Sequence, residues 1–213
     1  MNQTLWDIIM GLISAGTTIF DAGAVNGGGS LTFIKKLTAS GSATLDFLNG
    51  ASSVVFDGTY KKYLFTFKDI HLATNGQYLS FQVDIGTSTG YNIGVTSSIF
   101  KAYHKEDGST AQAGYDTGSD QGQGEAFQRI SSDLIDDNDA CIAGILEIYD
   151  PANTTHTKQW VCRTNTMVDG SPPYSEERNY AGFFNTTYAL TRVRFKSTSG
   201  NIDAGDICLY GVS

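Results

Sequence analysis

The chain has 213 residues, with 22 acidic against 14 basic side chains and a net charge of −8. That balance argues against a nucleic-acid partner, because neutralising phosphates needs a basic surface. Charged residues make up 17%, against about 25% in average soluble proteins, while Gly reaches 24 residues and Pro only 3. Such usage fits many turns and few long surface helices.

In chain order, Thr4 suits a helix N-cap, and Asp7 lies near the positive end of the helix dipole. Leu5, Ile8, Ile9, Leu12 and Ile13 follow at i, i+3, i+4, i+7 and i+8. This is the stripe of an amphipathic helix over about Leu5–Ser14, stopped by Gly16. A helix of about ten residues is marginal alone in water, so the stripe needs a second surface. Leu5, Trp6, Ile8, Ile9, Leu12 and Ile13 are the expected partner-docking residues. The run is too short for a membrane span, and no positive side chain precedes it as in an export signal. Asn26-Gly27-Gly28-Gly29-Ser30 reads as a hinge, because no Lys-Ser/Thr follows to make a phosphate loop. Residues 1–29 are thus an anchoring arm with its hinge, and 30–213 the body.

From Ser30 the apolar period falls to two. Strands are expected near Leu31–Lys36, Ala43–Leu48, Tyr60–Ile70 and Leu79–Ile85. Leu79, Phe81, Val83 and Ile85 alternate with Ser80, Gln82 and Asp84, the mark of a strand buried on one face. The Asn75-Gly76 turn makes this strand and Phe67–His71 expected hairpin partners. Ser98–His104 is a further strand, and Gly108–Gly124 a long polar loop, functional or disordered. Strands follow at Ala126–Ile135, Ala140–Tyr149, Lys158–Asn165, Asn179–Thr186, Tyr188–Lys196 and Asp206–Val212. In Tyr188–Lys196, Thr191, Val193 and Phe195 are expected to point inward while Arg192, Arg194 and Lys196 point outward. About ten strands with no second helix predict an all-β, antiparallel, jelly-roll-like β-sandwich behind a short N-terminal amphipathic helix.

Two segments carry a resemblance. One is Lys35–Phe47 leading into Tyr60-Lys61-Lys62-Tyr63-Leu64-Phe65-Thr66-Phe67-Lys68-Asp69-Ile70-His71, and the other is the ending Ser199–Val212. Together they resemble small β-sandwich virion proteins of tailed bacteriophages, over roughly Ser30 to the C-terminus. The resemblance implies a body, often trimeric, that decorates capsids or builds fibres and tails. It transfers no catalytic residue and no cofactor.

The residues offer little chemistry of their own. Asp133, Asp136, Asp137, Asn138 and Asp139 form an acidic knot, but no glycine gives the bend of a calcium loop, so a solvated turn is expected. His71, His104 and His156 lack metal-ligand spacing. Cys141, Cys162 and Cys208 are odd in number, sparse and set in apolar runs, as fits small buried thiols in a reducing cytoplasm. Asn-x-Thr triplets begin at Asn2, Asn153 and Asn185, and in a chain this rich in Asn and Thr such matches arise by chance. Trp160 reads as core, while Tyr115 and Tyr174 are the candidates for stacking on a sugar.

The expectation is therefore a non-enzymatic virion protein with no cofactor or metal, made in the host cytoplasm. Its partners would be further copies of itself, as a homotrimer, and other phage structural proteins of capsid or tail. The alternatives are a lectin-like module binding cell-surface glycan and, less favoured, a tail-associated glycan hydrolase, which would need a converging carboxylate pair.

Overall fold

The structure is a computed structural model and describes residues 12–14, 17–21, 24–25, 31–168 and 170–213. The chain divides into two compact units, Met1–Thr32 and Phe33–Ser213. In the first, β1 (Leu12–Ser14), β2 (Thr17–Asp21) and β3 (Ala24–Val25) form an antiparallel ribbon. The helix expected over Leu5–Ser14 falls mostly outside the described residues, and its last three positions are those of β1.

Two antiparallel sheets build the second unit. The larger contains β4 (Leu31–Thr38), β6 (Lys62–Leu72), β8 (Val95–Lys105), β9 (Ala111–Tyr115), β10 (Gly122–Gly124), β12 (Ile142–Tyr149), β13 (Lys158–Val168), β14 (Tyr174–Phe184) and β16 (Ile202–Val212). Its order is β10-β8-β14-β13-β12-β6-β16-β4, and β9 shares the β8 edge with β10. The smaller sheet contains β5 (Leu45–Leu48), β7 (Leu79–Ile85), β11 (Gln128–Arg129) and β15 (Leu190–Ser197), in the order β11-β7-β15-β5.

Alternation explains which face turns inward. Along β13, Trp160, Cys162, Thr164, Thr166 and Val168 are buried, while Gln159, Val161, Arg163 and Asn165 are exposed. The buried sides of the two sheets meet through aromatic rings. Phe81 of the small sheet packs edge-on against Trp160 (5.2 Å) and Phe184 (5.7 Å) of the large one. Phe195 meets Phe65 (5.3 Å) and Phe67 (5.5 Å), and Phe47 meets Phe65 (5.2 Å). Each such side chain contributes about 1.5–3 kcal/mol through burial, and edge-to-face geometry adds about 0.5–1.5 kcal/mol per pair. Gly182 makes room for this packing, since a Cβ there would meet the Trp160 ring at 2.7 Å. Lys158 is only 1% exposed, and its Nζ donates to the carbonyls of His156 (2.7 Å) and Thr187 (3.2 Å).

Three local expectations are corrected. Phe67–His71 and Leu79–Ile85 do not pair, because β6 runs in the large sheet and β7 in the small one, so the chain changes sheets between them. β7 is buried on both faces, not one. Gln82 Nε2 donates to the carbonyls of Ile93, Glu125 and Ala126, and Asp84 accepts from the Ile85 and Tyr91 amides, so neighbouring loops close the outer side. Gly108–Gly124 is not one long loop, since β9 and β10 fall within it and both pair with β8. Register in β6 shifts at Asp69 (φ 51), where Gly205 (φ +109) lets the two backbones approach without a Cβ clash.

Candidate functional site

The outer face of the large sheet is the most distinctive surface of the second unit. β8, β14 and β13 pair over their full lengths without a register shift, giving a regular platform. Opposed positions cross it in rows. One row runs Tyr115, Phe100, Asn179, Arg163, Ile145, and the next runs Ser98, Ala181, Val161, Glu147, Leu64, Tyr210. Phe100 is 54% exposed, Tyr115 53%, Val161 43%, Ile145 40% and Tyr149 37%. Phe100, Tyr115, Val161 and Ala181 line a shallow depression of about 290 Å³.

Charges on this face are few and mutually paired. Arg163 Nε donates to Glu177 Oε1 at 2.7 Å, and Lys62 Nζ to Glu147 Oε1 at 2.7 Å. The Arg163 bond holds the Glu177 carboxyl below the usual range. Burial would raise Glu147, but the Lys62 and Tyr149 donors outweigh it and its carboxyl lies low. The hydroxyl of Tyr149 donates to Glu147 (2.5 Å), a bond that pushes this phenol up to about 12.

At the β8–β14 end, the inner face is closed by charge beside the Tyr103–Tyr174 ring pair. Arg178 Nε donates to Glu176 Oε1 (2.5 Å) and its Nη1 to Ser119 Oγ (3.0 Å), and the same Nη1 forms an ion pair with Asp116 Oδ2 at 3.0 Å. Lys101 Nζ lies 3.6 Å from Glu176 and 3.8 Å from Asp116. The Glu176 and Arg178 side chains are 1% and 5% exposed, so each is stable only with the other present. Burial alone would raise Asp116, but the Gly118 amide, Arg178 and Lys101 together hold its carboxyl below the ordinary value. This cluster fastens the segment after β9 to the sheet and so fixes where Tyr115 stands.

The structure separates the two candidate sugar-stacking rings. Tyr115 lies on the outer face, its hydroxyl donating to Asp120 Oδ2 at 2.7 Å. Tyr174 shares the inner phase of Glu176 and Arg178, pairs with Tyr103 at 5.0 Å, and is pushed up to about 12 mainly by burial. Of the expected docking residues, Leu5, Trp6, Ile8 and Ile9 lie outside the described residues, and Leu12 and Ile13 fall in β1.

A second depression of about 390 Å³ gathers Asp69, His71, Asp139, Cys141 and Asp203. The His71 Nδ1 lies 3.8 Å from Asp203, and its Nε2 is 3.2 Å from the Asp137 carbonyl. Burial, with Asp69 nearby, pushes the Cys141 thiol up, the opposite of what a nucleophile needs. Among the described residues no group of three or more His, Cys, Asp or Glu side chains is placed to hold a metal ion.

Sequence reasoning missed Phe100, Val161 and Ile145. The signal was there as large apolar residues in the polar phase of their strands, between Ser98 and Ala102, Gln159 and Arg163, and Ala143 and Glu147.

The chain matches no family model, no curated protein and no solved structure.

Proposed function

We propose that this chain is a structural protein of a tailed-phage virion. Its jelly-roll-like body self-associates as a trimer, and its N-terminal arm anchors it to capsid or tail. The observation that carries this reading is the outer face of the large sheet, where five large apolar side chains stand at least 37% exposed on a regular platform. Exposed apolar surface gathered round one depression, as Phe100, Tyr115 and Val161 are, marks protein contact. The buried thiol of Cys162, pushed well up by desolvation, fits assembly in a reducing cytoplasm. For the arm, the support is the Leu5, Ile8, Ile9, Leu12, Ile13 stripe.

The test uses the full chain carrying Ile8→Asp and Ile9→Asp. The variant is expected to keep the circular dichroism of the wild-type body and to be lost from purified particles. Normal incorporation would overturn the anchoring role. A glycan-binding reading draws on one observation, the exposed ring of Tyr115 beside Asp120. A glycan array with wild type and Tyr115→Ala tests it, and binding that the substitution abolishes would favour it over assembly.

A further inference from the structure

We infer that the outer face around Phe100 and Val161 is covered by a second copy of this chain. The inference rests on the self-associating body proposed above and names the surface through which it associates.

Area is the first argument. Taking about 150–250 Å² per ring as the scale, Tyr115, Phe100, Val161, Ile145, Tyr149 and the neighbouring alanines present roughly 500 Å² of apolar surface. A stable interface takes about 800 Å² from each partner, a little over half of it apolar. One side of such an interface is therefore already present on this face. The rows of opposed residues place it on consecutive strands β9, β8, β14, β13 and β12, with the depression of about 290 Å³ between Phe100 and Val161.

Charge is the second. The chain carries −8 overall, so two copies repel across most relative orientations. On the outer face of β8, β14, β13 and β12 the acidic groups are Glu177 and Glu147, and each has its own cation at 2.7 Å. The other titratable side chains of these four strands' outer face are His104, exposed at the far end of β8, and Tyr149, whose hydroxyl donates to Glu147; beside β9, the Asp120 carboxylate accepts from the Tyr115 hydroxyl. This face can meet an identical chain without like-charge repulsion, and the identical chain supplies a neutral apolar surface in return. A strongly basic or acidic partner would find only the Asp120 carboxylate at the patch edge to engage.

The third argument is preorganisation. β13 and β14 are paired along eleven residue positions, so the platform does not need ordering on contact, which lowers the entropic cost of association.

The test measures the mass of the full chain by size-exclusion chromatography with light scattering, over a range of concentrations. Phe100→Glu and Val161→Lys are compared with wild type and with Tyr188→Glu, which alters an exposed ring in the β14–β15 connection. Val161→Lys lowers the net negative charge, so any loss of association it causes is not general repulsion. The expected result is an oligomeric wild type, an unchanged Tyr188→Glu, and association weakened at least roughly tenfold in both face variants, as for a substitution at the energetic centre of an interface. Both variants should keep wild-type near-ultraviolet circular dichroism, since the substituted side chains are exposed. Face variants that associate like wild type would overturn the assignment of this face while self-association stands. A wild type that is monomeric at every concentration would remove self-association itself.

Discussion

The two faces of β13 and β14 are made by the same strands and have opposite fates. The inner face is closed twice over, by the Phe81–Trp160–Phe184 rings at its middle and by the Arg178–Glu176–Asp116 cluster at its end. The outer face carries Val161 one position from Trp160, with Phe100 and Ile145 on the neighbouring strands β8 and β12, and nothing among the described residues covers them. A sheet needs only one buried face to fold, so apolar side chains on the second are not explained by folding. The difference teaches that stability and assembly can be assigned to alternate residues of a single strand.

Substitutions that probe this division should fall in a definite order. Phe81→Ala empties the centre of the inner face and is expected to cost about 3–5 kcal/mol in chemical denaturation. Arg178→Ala leaves Glu176 buried without its partner and should cost about 3 kcal/mol by the same measurement. A loss below about 1 kcal/mol would mean that water already reaches the cluster. Acid should reproduce part of this effect. The folded Asp116 carboxyl lies below its ordinary value, so its contribution is present above about pH 4 and fades as pH falls through the lower folded value. Melting temperature should therefore drop more for wild type than for Asp116→Asn between pH 5 and pH 3, and parallel curves would sink the idea. At the bottom of the order, Val161→Thr on the outer face should change stability by less than about 0.5 kcal/mol. If it destabilises the fold by several times that, the outer face serves folding after all.

Much of the body was legible because period-two alternation is a local property. β13 and β15 show it plainly, and inward Val193 and Phe195 with outward Arg192, Arg194 and Lys196 follow from it directly. What alternation cannot express is which sheet a strand joins. Phe67–His71 and Leu79–Ile85 look like a hairpin from the turn between them, yet the inner faces of both are best covered when they lie in opposite layers, Phe67 and Phe81 both packing on Phe195. Nor does it show a distant loop covering polar residues. Ser80, Gln82 and Asp84 read as solvent-facing, but the carbonyls and amides of the 91–93 and 125–126 segments satisfy Gln82 and Asp84 within the fold. The buried charge cluster was invisible for the same reason, since Asp116 and Arg178 are far apart in sequence and look like ordinary surface residues. The outer patch was hidden because an apolar side chain in a strand has the same local pattern whether it packs inward or waits for a partner. Phe100, Val161 and Ile145 break the alternation of their own strands, and such breaks are where a second surface is written.

The most direct measurement of the central claim is sedimentation equilibrium of the full wild-type chain beside Val161→Lys. The account predicts an oligomer for wild type and a folded monomer for the variant at the same concentration. Equal masses for the two would contradict it.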